Sequence, residues 1–382
     1  MIDGEHYAPV VRDALAELPY DVVAAILVGG TEKLRGGDEY GVPLVSRLDD
    51  VDAEIVLDLS DEPVFAPQER LLWASRALAL GRPYIGPDFR FDPPAYHPFP
   101  LPSLAVIGTG KRVGKTAVTG HVARLLAREH EVVVVAMGRG GPADPETIES
   151  PPTVAELVEL SRSGRHAASD HLETAALAGV VTVGCRRAGG GLAGAPFASN
   201  VLEGAELAAA RRPDVVVFDG SGAAIPPIAV DRRILVAGSQ DLRAGLNPYR
   251  VLVSDLVVLT SGDAEAVHAI ADVPVVHAEL RLRPAEPLAG RRTAVFTTGP
   301  APIEHLDADV VAVSRNLADR AALRSDLADL DAEVYLVELK AAAIDVVAEA
   351  ALERNAELML AANDVVSPGL DEALLGLVGA RT

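Results

Sequence analysis

The chain has 382 residues, 49% of them hydrophobic and 23% charged, a balance that excludes intrinsic disorder and allows two or three domains with separate cores. Its formal charge of −21 opposes a nucleic-acid backbone, so no nucleic-acid partner is expected. One cysteine, Cys185, excludes an internal disulfide and a multi-cysteine metal site. No apolar run is long enough to span a bilayer, and the opening residues MIDGEHYAPVV carry neither a basic nor an apolar leader segment, which predicts a cytoplasmic protein with no membrane partner.

In chain order, residues 1–96 read as a small α/β domain. Helical spacing covers Ala8–Leu18, and Val22–Val28 is an apolar strand that leaves through Gly29-Gly30-Thr31-Glu32-Lys33. Ala53–Leu59 predicts a second strand, Pro67–Leu80 a helix and Pro83–Ile85 a short strand. Between Gly86 and Ser103 stand six prolines and four aromatics (Phe89, Phe91, Tyr96, Phe99). That composition predicts an extended linker packed along the domains.

Residues 97–290 form the central domain of this reading, with strands at Leu104–Ile107, Val132–Met137, Gly179–Cys185, the run ending at Asp219, Arg233–Ala237, Leu256–Leu259 and Val275–His277. Helices are expected after the first glycine loop through Arg128, over Thr153–Ser161 and over Val201–Arg211. Residues 291–382 repeat the alternation on a smaller scale, with strands at Thr293–Thr298, Val310–Val313, Glu333–Leu339 and Glu357–Ala362, and helices at Leu317–Leu330 and Ala341–Glu353. Alternating strands and helices predict a doubly wound, mostly parallel α/β sheet, with smaller α/β domains at both ends of the chain.

Chemistry concentrates in loops at strand ends. The string GTGKRVGKT, Gly108–Thr116, follows an apolar strand and opens a helix, the context of a phosphate-binding loop. Gly108, Thr109, Gly110, Lys111, Val113, Gly114, Lys115 and Thr116 therefore form the nucleotide-binding set. Backbone amides and the helix N-terminus take phosphate oxygens, Lys115 reaches the β/γ-phosphates, and Thr116 ligates Mg²⁺. Thr109 stands where the strict pattern has glycine, and this spelling is similar to that of dethiobiotin synthetase. In VVVFDGSG four apolar residues bring Asp219 to the sheet edge, opposite Thr116 in the role of Mg²⁺ partner. Two further strand ends combine glycine with arginine, Gly138-Arg139-Gly140-Gly141 and Arg186-Arg187-Ala188-Gly189-Gly190-Gly191. Glycine admits close backbone approach and guanidinium grips phosphate or carboxylate, so Arg139, Arg186 and Arg187 are candidate anion ligands.

Lysine occurs only at 33, 111, 115 and 340. Two of the four lie in one loop, which marks Lys111 beside Lys115 and Asp219 as a catalytic candidate, while Lys33 after its Gly-Gly turn is either a phosphate ligand or a solvated loop lysine. Cys185 reads as a small buried hydrophobe. His166 and His171 are five apart and do not share a helix face, so no zinc site is read. Glu338 and Lys340, at a strand end, are either an ion pair or site residues.

Taken together, these loops resemble the cyclic 2,3-diphosphoglycerate synthetase family. The resemblance rests on Gly108–Val118, AMGRGGP (Ala136–Pro142), GCRRAGGG (Gly184–Gly191), Asn247–Thr260 and Val337–Val347, and extends to Val28–Leu34 and Asp58–Val64. It implies an enzyme that uses ATP and Mg²⁺ to close 2,3-diphosphoglycerate, a small phosphorylated acid, into its cyclic pyrophosphate. A phosphotransferase acting on 2-phosphoglycerate or a related acid is the alternative enzyme. A nucleotide switch fits less well, because such proteins carry lysine where this chain has Gly110, and no Cys-x-x-Cys stands ready for metal delivery. A K⁺ requirement and a homodimer are left open.

Overall fold

The computed structural model describes residues 1–35, 39–164, 170–299, 302–339 and 343–379. His166 and Lys340 lie outside the described residues. The chain divides into two compact units. One contains Met1–Ala95, Asp241–Val253 and Glu265–Asp272; the other contains Tyr96–Gln240, Ser254–Ala264 and Val273–Thr382.

In the first unit, helix Ala8–Glu17 buries Ala8, Val11 and Leu15 against Ile2, Ala25 and Tyr40, a stripe at helical spacing. The expected strand over Val22–Val28 shortens to Leu27–Val28, paired in parallel with Ile2–Asp3. Val56–Leu57 is similarly short and pairs with Tyr84–Ile85. β-branched residues favour extended backbone, but a strand ends where its partner ends. Helix Pro67–Ala79 starts on proline, whose missing N–H costs nothing at that position. It packs on Asn247–Leu252, a helix the sequence reading passed over.

The linker aromatics are ordered. Phe89 stacks on Tyr84 at 5.9 Å and lies 5.8 Å from Phe91 within the first unit. In the second unit Phe99 meets Phe218 edge-on at 5.0 Å, and the Arg233 guanidinium lies 4.5 Å from the Tyr96 ring centre.

Among the described residues the second unit carries two large sheets and a two-stranded pairing of His97–Pro98 with Ile228–Ala229. The larger has nine strands. Seven run parallel, in the spatial order Val181–Ala188, Val132–Gly138, Val215–Asp219, Ser103–Gly108, Arg232–Ala237, Leu256–Leu259, Val275–His277. Short strands Glu146–Ile148 and Ala198–Ser199 join the outer edge antiparallel. Apolar runs buried on both faces suit a parallel sheet covered by helices. Helix Lys115–Leu126 supplies one cover, packing Val118, Val122, Leu125 and Leu126 against Val106, Val134, Val217 and Ile234. The smaller, five-stranded sheet runs Glu279–Pro284, Glu357–Val366, Val334–Glu338, Arg292–Phe296, Asp309–Ser314, with only the first strand antiparallel.

Candidate active site

Parallel pairing puts four glycine-bearing loops at one edge of the larger sheet, because each leaves the carboxyl end of its strand. Ser103–Gly108 delivers the phosphate-type loop, Val215–Asp219 the Gly220–Gly222 turn, Val132–Gly138 the Arg139 loop and Val181–Ala188 the arginine pair.

The loop ends on Gly114, which caps helix Lys115–Leu126 at φ +86°. A Cβ there would lie 2.7 Å from a Leu280 methyl and 3.1 Å from Thr260, so the conformation calls for glycine and any side chain would push on both neighbours. Arg112 also takes a left-handed φ, 61°, a conformation that costs a non-glycine residue about 1–3 kcal/mol and that turns successive amides towards one point. The Thr260 hydroxyl braces the loop from behind, 3.1 Å from the Val113 carbonyl oxygen and 3.2 Å from that of Ala237.

Lys115 is buried, and its Nζ donates to Asp219 Oδ1 at 2.5 Å. Thr119, one helical turn on and also buried, donates its hydroxyl to the same oxygen at 2.7 Å. Both donors fall on Oδ1, so the buried Oδ2 has no hydrogen-bond partner among the described residues. An unsatisfied buried acceptor costs about 1–3 kcal/mol, more when charged. A carboxylate oxygen left in that state, on a side chain that also meets the first residue of the loop's helix, fits a hydrated divalent cation. The buried Thr109 hydroxyl is likewise unpartnered among the described residues, as suits a loop that closes on phosphate.

Three basic side chains meet at Gly222. A Cβ on that residue would lie 3.0 Å from an Arg139 guanidinium nitrogen, 3.8 Å from one of Arg187 and 3.9 Å from Lys111 Cγ, and its φ is +59°. Arg139 and Lys111 are exposed, with their charge available. Arg187 is buried, and its guanidinium donates to the carbonyl oxygens of Ser221 at 2.8 Å and Gly189 at 2.6 Å. Burial first, and the neighbouring Arg139 second, pull its pKa below the ordinary guanidinium value, with Asp170 opposing. Arg187 is therefore the strut that fixes the Ser221–Gly222 turn. Strand alternation sends Arg186 the other way, and it is exposed. Its backbone N–H donates to Asn200 Oδ1 at 2.7 Å.

Lys33 belongs to the first unit and pairs with Glu32 at 2.6 Å. That hydrogen bond raises the lysine's pKa and lowers the carboxyl's. Cys185 is buried beneath its strand, and burial, with Glu203 adding to it, pushes the thiol pKa up to about 12.

A cavity of about 720 Å³ opens over the phosphate-type loop. Residues 110–116, Arg139, Gly140, Ser221 and Gly222 line one side. The lining also includes Glu279, Leu280, Glu338 and Asn363 of the smaller sheet, Thr298 and Gly299 just after its strand Arg292–Phe296, and Asp170 and Glu173 of helix Asp170–Ala178. The sequence reading left Glu338 undecided and did not single out Thr119, Glu173 or Asn363. Thr119 carried a signal, a hydroxyl four residues after Lys115 on one helix face. Asn363 carried none, since a lone amide late in an apolar strand has no pattern.

Known proteins match the chain along its length. Residues 103–276 match the family "Cyclic 2,3-diphosphoglycerate synthetase, P-loop domain", residues 1–92 the N-terminal domain of that name and residues 284–364 its C-terminal domain. A cyclic 2,3-diphosphoglycerate synthetase of Rubrobacter xylanophilus is 48% identical over 100% of this chain and 96% of its own length. One from Thermococcus kodakarensis is 40% identical over 96% of this chain and 94% of its own. Among solved structures, LpxK from Aquifex aeolicus in complex with ATP gives a TM-score of 0.46 at 16% identity, covering 74% of this chain and 90% of that one.

Proposed function

The chain belongs to the cyclic 2,3-diphosphoglycerate synthetase family, and from that premise we propose that it joins the two phosphates of 2,3-diphosphoglycerate into a cyclic pyrophosphate, converting ATP to ADP and phosphate. The protein is an ATP-dependent ligase with a P-loop domain. The observation that carries the residue assignment is the meeting of Lys111 and Arg139 at Gly222, on the same cavity as the loop amides and Lys115. One reactant needs a triphosphate cradle, and the other carries two phosphates and a carboxylate. A cation pair beside a P-loop suits both.

In the mechanism we infer, the loop amides and Lys115 hold the nucleotide phosphates, with Lys115 exchanging its Asp219 contact for phosphate oxygens. Lys111 and Arg139 hold the acid in line. An oxygen of one acid phosphate attacks the γ-phosphorus, the bond to ADP breaks, and a mixed anhydride forms. The neighbouring acid phosphate then attacks the phosphorus that began on the substrate, the transferred group leaves as orthophosphate, and the ring closes. Positioning and charge neutralisation supply the catalysis. Thr116 and Asp219 Oδ2 would hold Mg²⁺, which when bound neutralises charge on the phosphate oxygens. Thr119 keeps Oδ2 turned to that task.

Phosphorus NMR of the protein with ATP, Mg²⁺ and 2,3-diphosphoglycerate tests the reading. A cyclic pyrophosphate signal that requires all three is the expected result. No cyclic product there, together with a new monoester when 2-phosphoglycerate replaces the diphosphate, would move the chain to the phosphotransferases.

A further inference from the structure

The C-terminal sheet brings a carboxylate to a cavity read here as serving two polyanions. Glu338 is the last residue of strand Val334–Glu338, is buried, and lines the same cavity as the phosphate-type loop. Its hydrogen bonds show what it holds in place. Oε2 accepts from the Thr298 backbone N–H at 3.1 Å and the Thr298 hydroxyl at 3.3 Å. Oε1 accepts from Asn363 Nδ2 at 2.8 Å. Thr298 follows strand Arg292–Phe296 and Asn363 lies in strand Glu357–Val366, so one carboxylate ties three adjacent strands at their cavity end.

The bond to Asn363 also sets polarity. An ionised carboxylate only accepts, so the amide nitrogen must face Glu338 and Oδ1 must turn away from it. Asn363 lines the main cavity and also a small one of about 20 Å³ shared with Thr116, Glu173 and Thr174. Its orientation is therefore felt beside the loop.

We propose that Glu338 is a positioning residue for the acid substrate, acting through Asn363 and Thr298, and that the carboxyl edge of the C-terminal sheet is the second wall of the acid-binding site. This rests on the synthetase reading above. Glutamine at 338 keeps the shape but brings its own amide donors, which collide with the Thr298 N–H or force Asn363 to flip. Alanine at 363 removes the relay and leaves the carboxylate.

Calorimetric titration of 2,3-diphosphoglycerate and, separately, of ATP into wild type, Glu338→Gln, Asn363→Ala and the double variant tests the proposal, with circular dichroism confirming the fold. Each single variant is expected to weaken the acid about tenfold and ATP by no more than about twofold, and the double variant is expected to be no worse than the weaker single, because both act on one path. Unchanged acid affinity in both singles, an equal loss of ATP affinity, or additive losses in the double would overturn the proposal. Wild type that binds ATP and not the acid would overturn the synthetase reading itself. Should Glu338→Gln not fold, Asn363→Ala and Thr298→Val carry the same test: acid-specific losses support the proposal, and none overturns it.

Discussion

The two large sheets of the second unit present opposite chemistry to one cavity. The larger sheet ends in glycine loops with Lys111, Lys115 and Arg139, and the smaller ends in Glu338, Asn363 and Thr298. Both edges follow the same rule, that ligands of open α/β sheets gather where parallel strands end. They differ in what the strand ends carry, and only the cationic edge leaves a sequence motif. Phosphate binding needs converging amides, hence glycine at fixed spacing. A wall of polar side chains needs only residues on adjacent strands, from any register.

The comparison breaks most visibly at Lys115. Lys115→Ala should lower kcat by about 10³-fold, measured as cyclic product by phosphorus NMR; a variant within tenfold of wild type would remove the loop from the chemistry. Asp219→Asn should lose about 10²-fold and require more Mg²⁺ for half-maximal rate, read from a Mg²⁺ titration of the rate. Full Mg²⁺-dependent turnover would cancel its assignment. Gly222→Ala tests the cation edge without touching a charge. Strain at φ +59° and the collision with Arg139 should cut kcat/KM for the acid about thirtyfold.

Arginine placement sharpens the contrast further. Arg139→Ala should raise KM for the acid about tenfold, whereas Arg186→Ala, on the outward side of its strand, should stay within about twofold; steady-state kinetics with the acid varied separates them. The smallest effect lies just behind the edge. With its pKa raised to about 12 by burial, Cys185 stays a thiol at pH 8, so iodoacetamide should label the folded protein negligibly and the denatured chain fully by mass spectrometry.

Much of the larger sheet was legible because its strands are unbroken apolar runs closed by glycine. Val132–Met137 and Leu256–Leu259 needed almost no adjustment. The first unit was harder to read, because its strands are set by partners: Val22–Val28 has the composition of a strand, yet Leu27–Val28 forms the strand and Ala25 makes a single isolated bridge to Leu44. The cation set was readable from lysine scarcity and glycine loops. The split between Arg186 and Arg187 was not, because adjacent arginines look alike until strand alternation assigns each a face. Thr119, Glu338 and Asn363 act through other residues, and their partners lie far away in the chain.

The central claim is that the cationic edge holds the acid beside the nucleotide. Titrating 2,3-diphosphoglycerate by calorimetry into wild type and a Lys111→Ala/Arg139→Ala double variant, each saturated with a non-hydrolysable ATP analogue, measures it directly. An acid Kd about a hundredfold weaker in the double variant, with the analogue's own affinity unchanged, is the predicted result. Equal acid affinity in the two proteins would contradict the account.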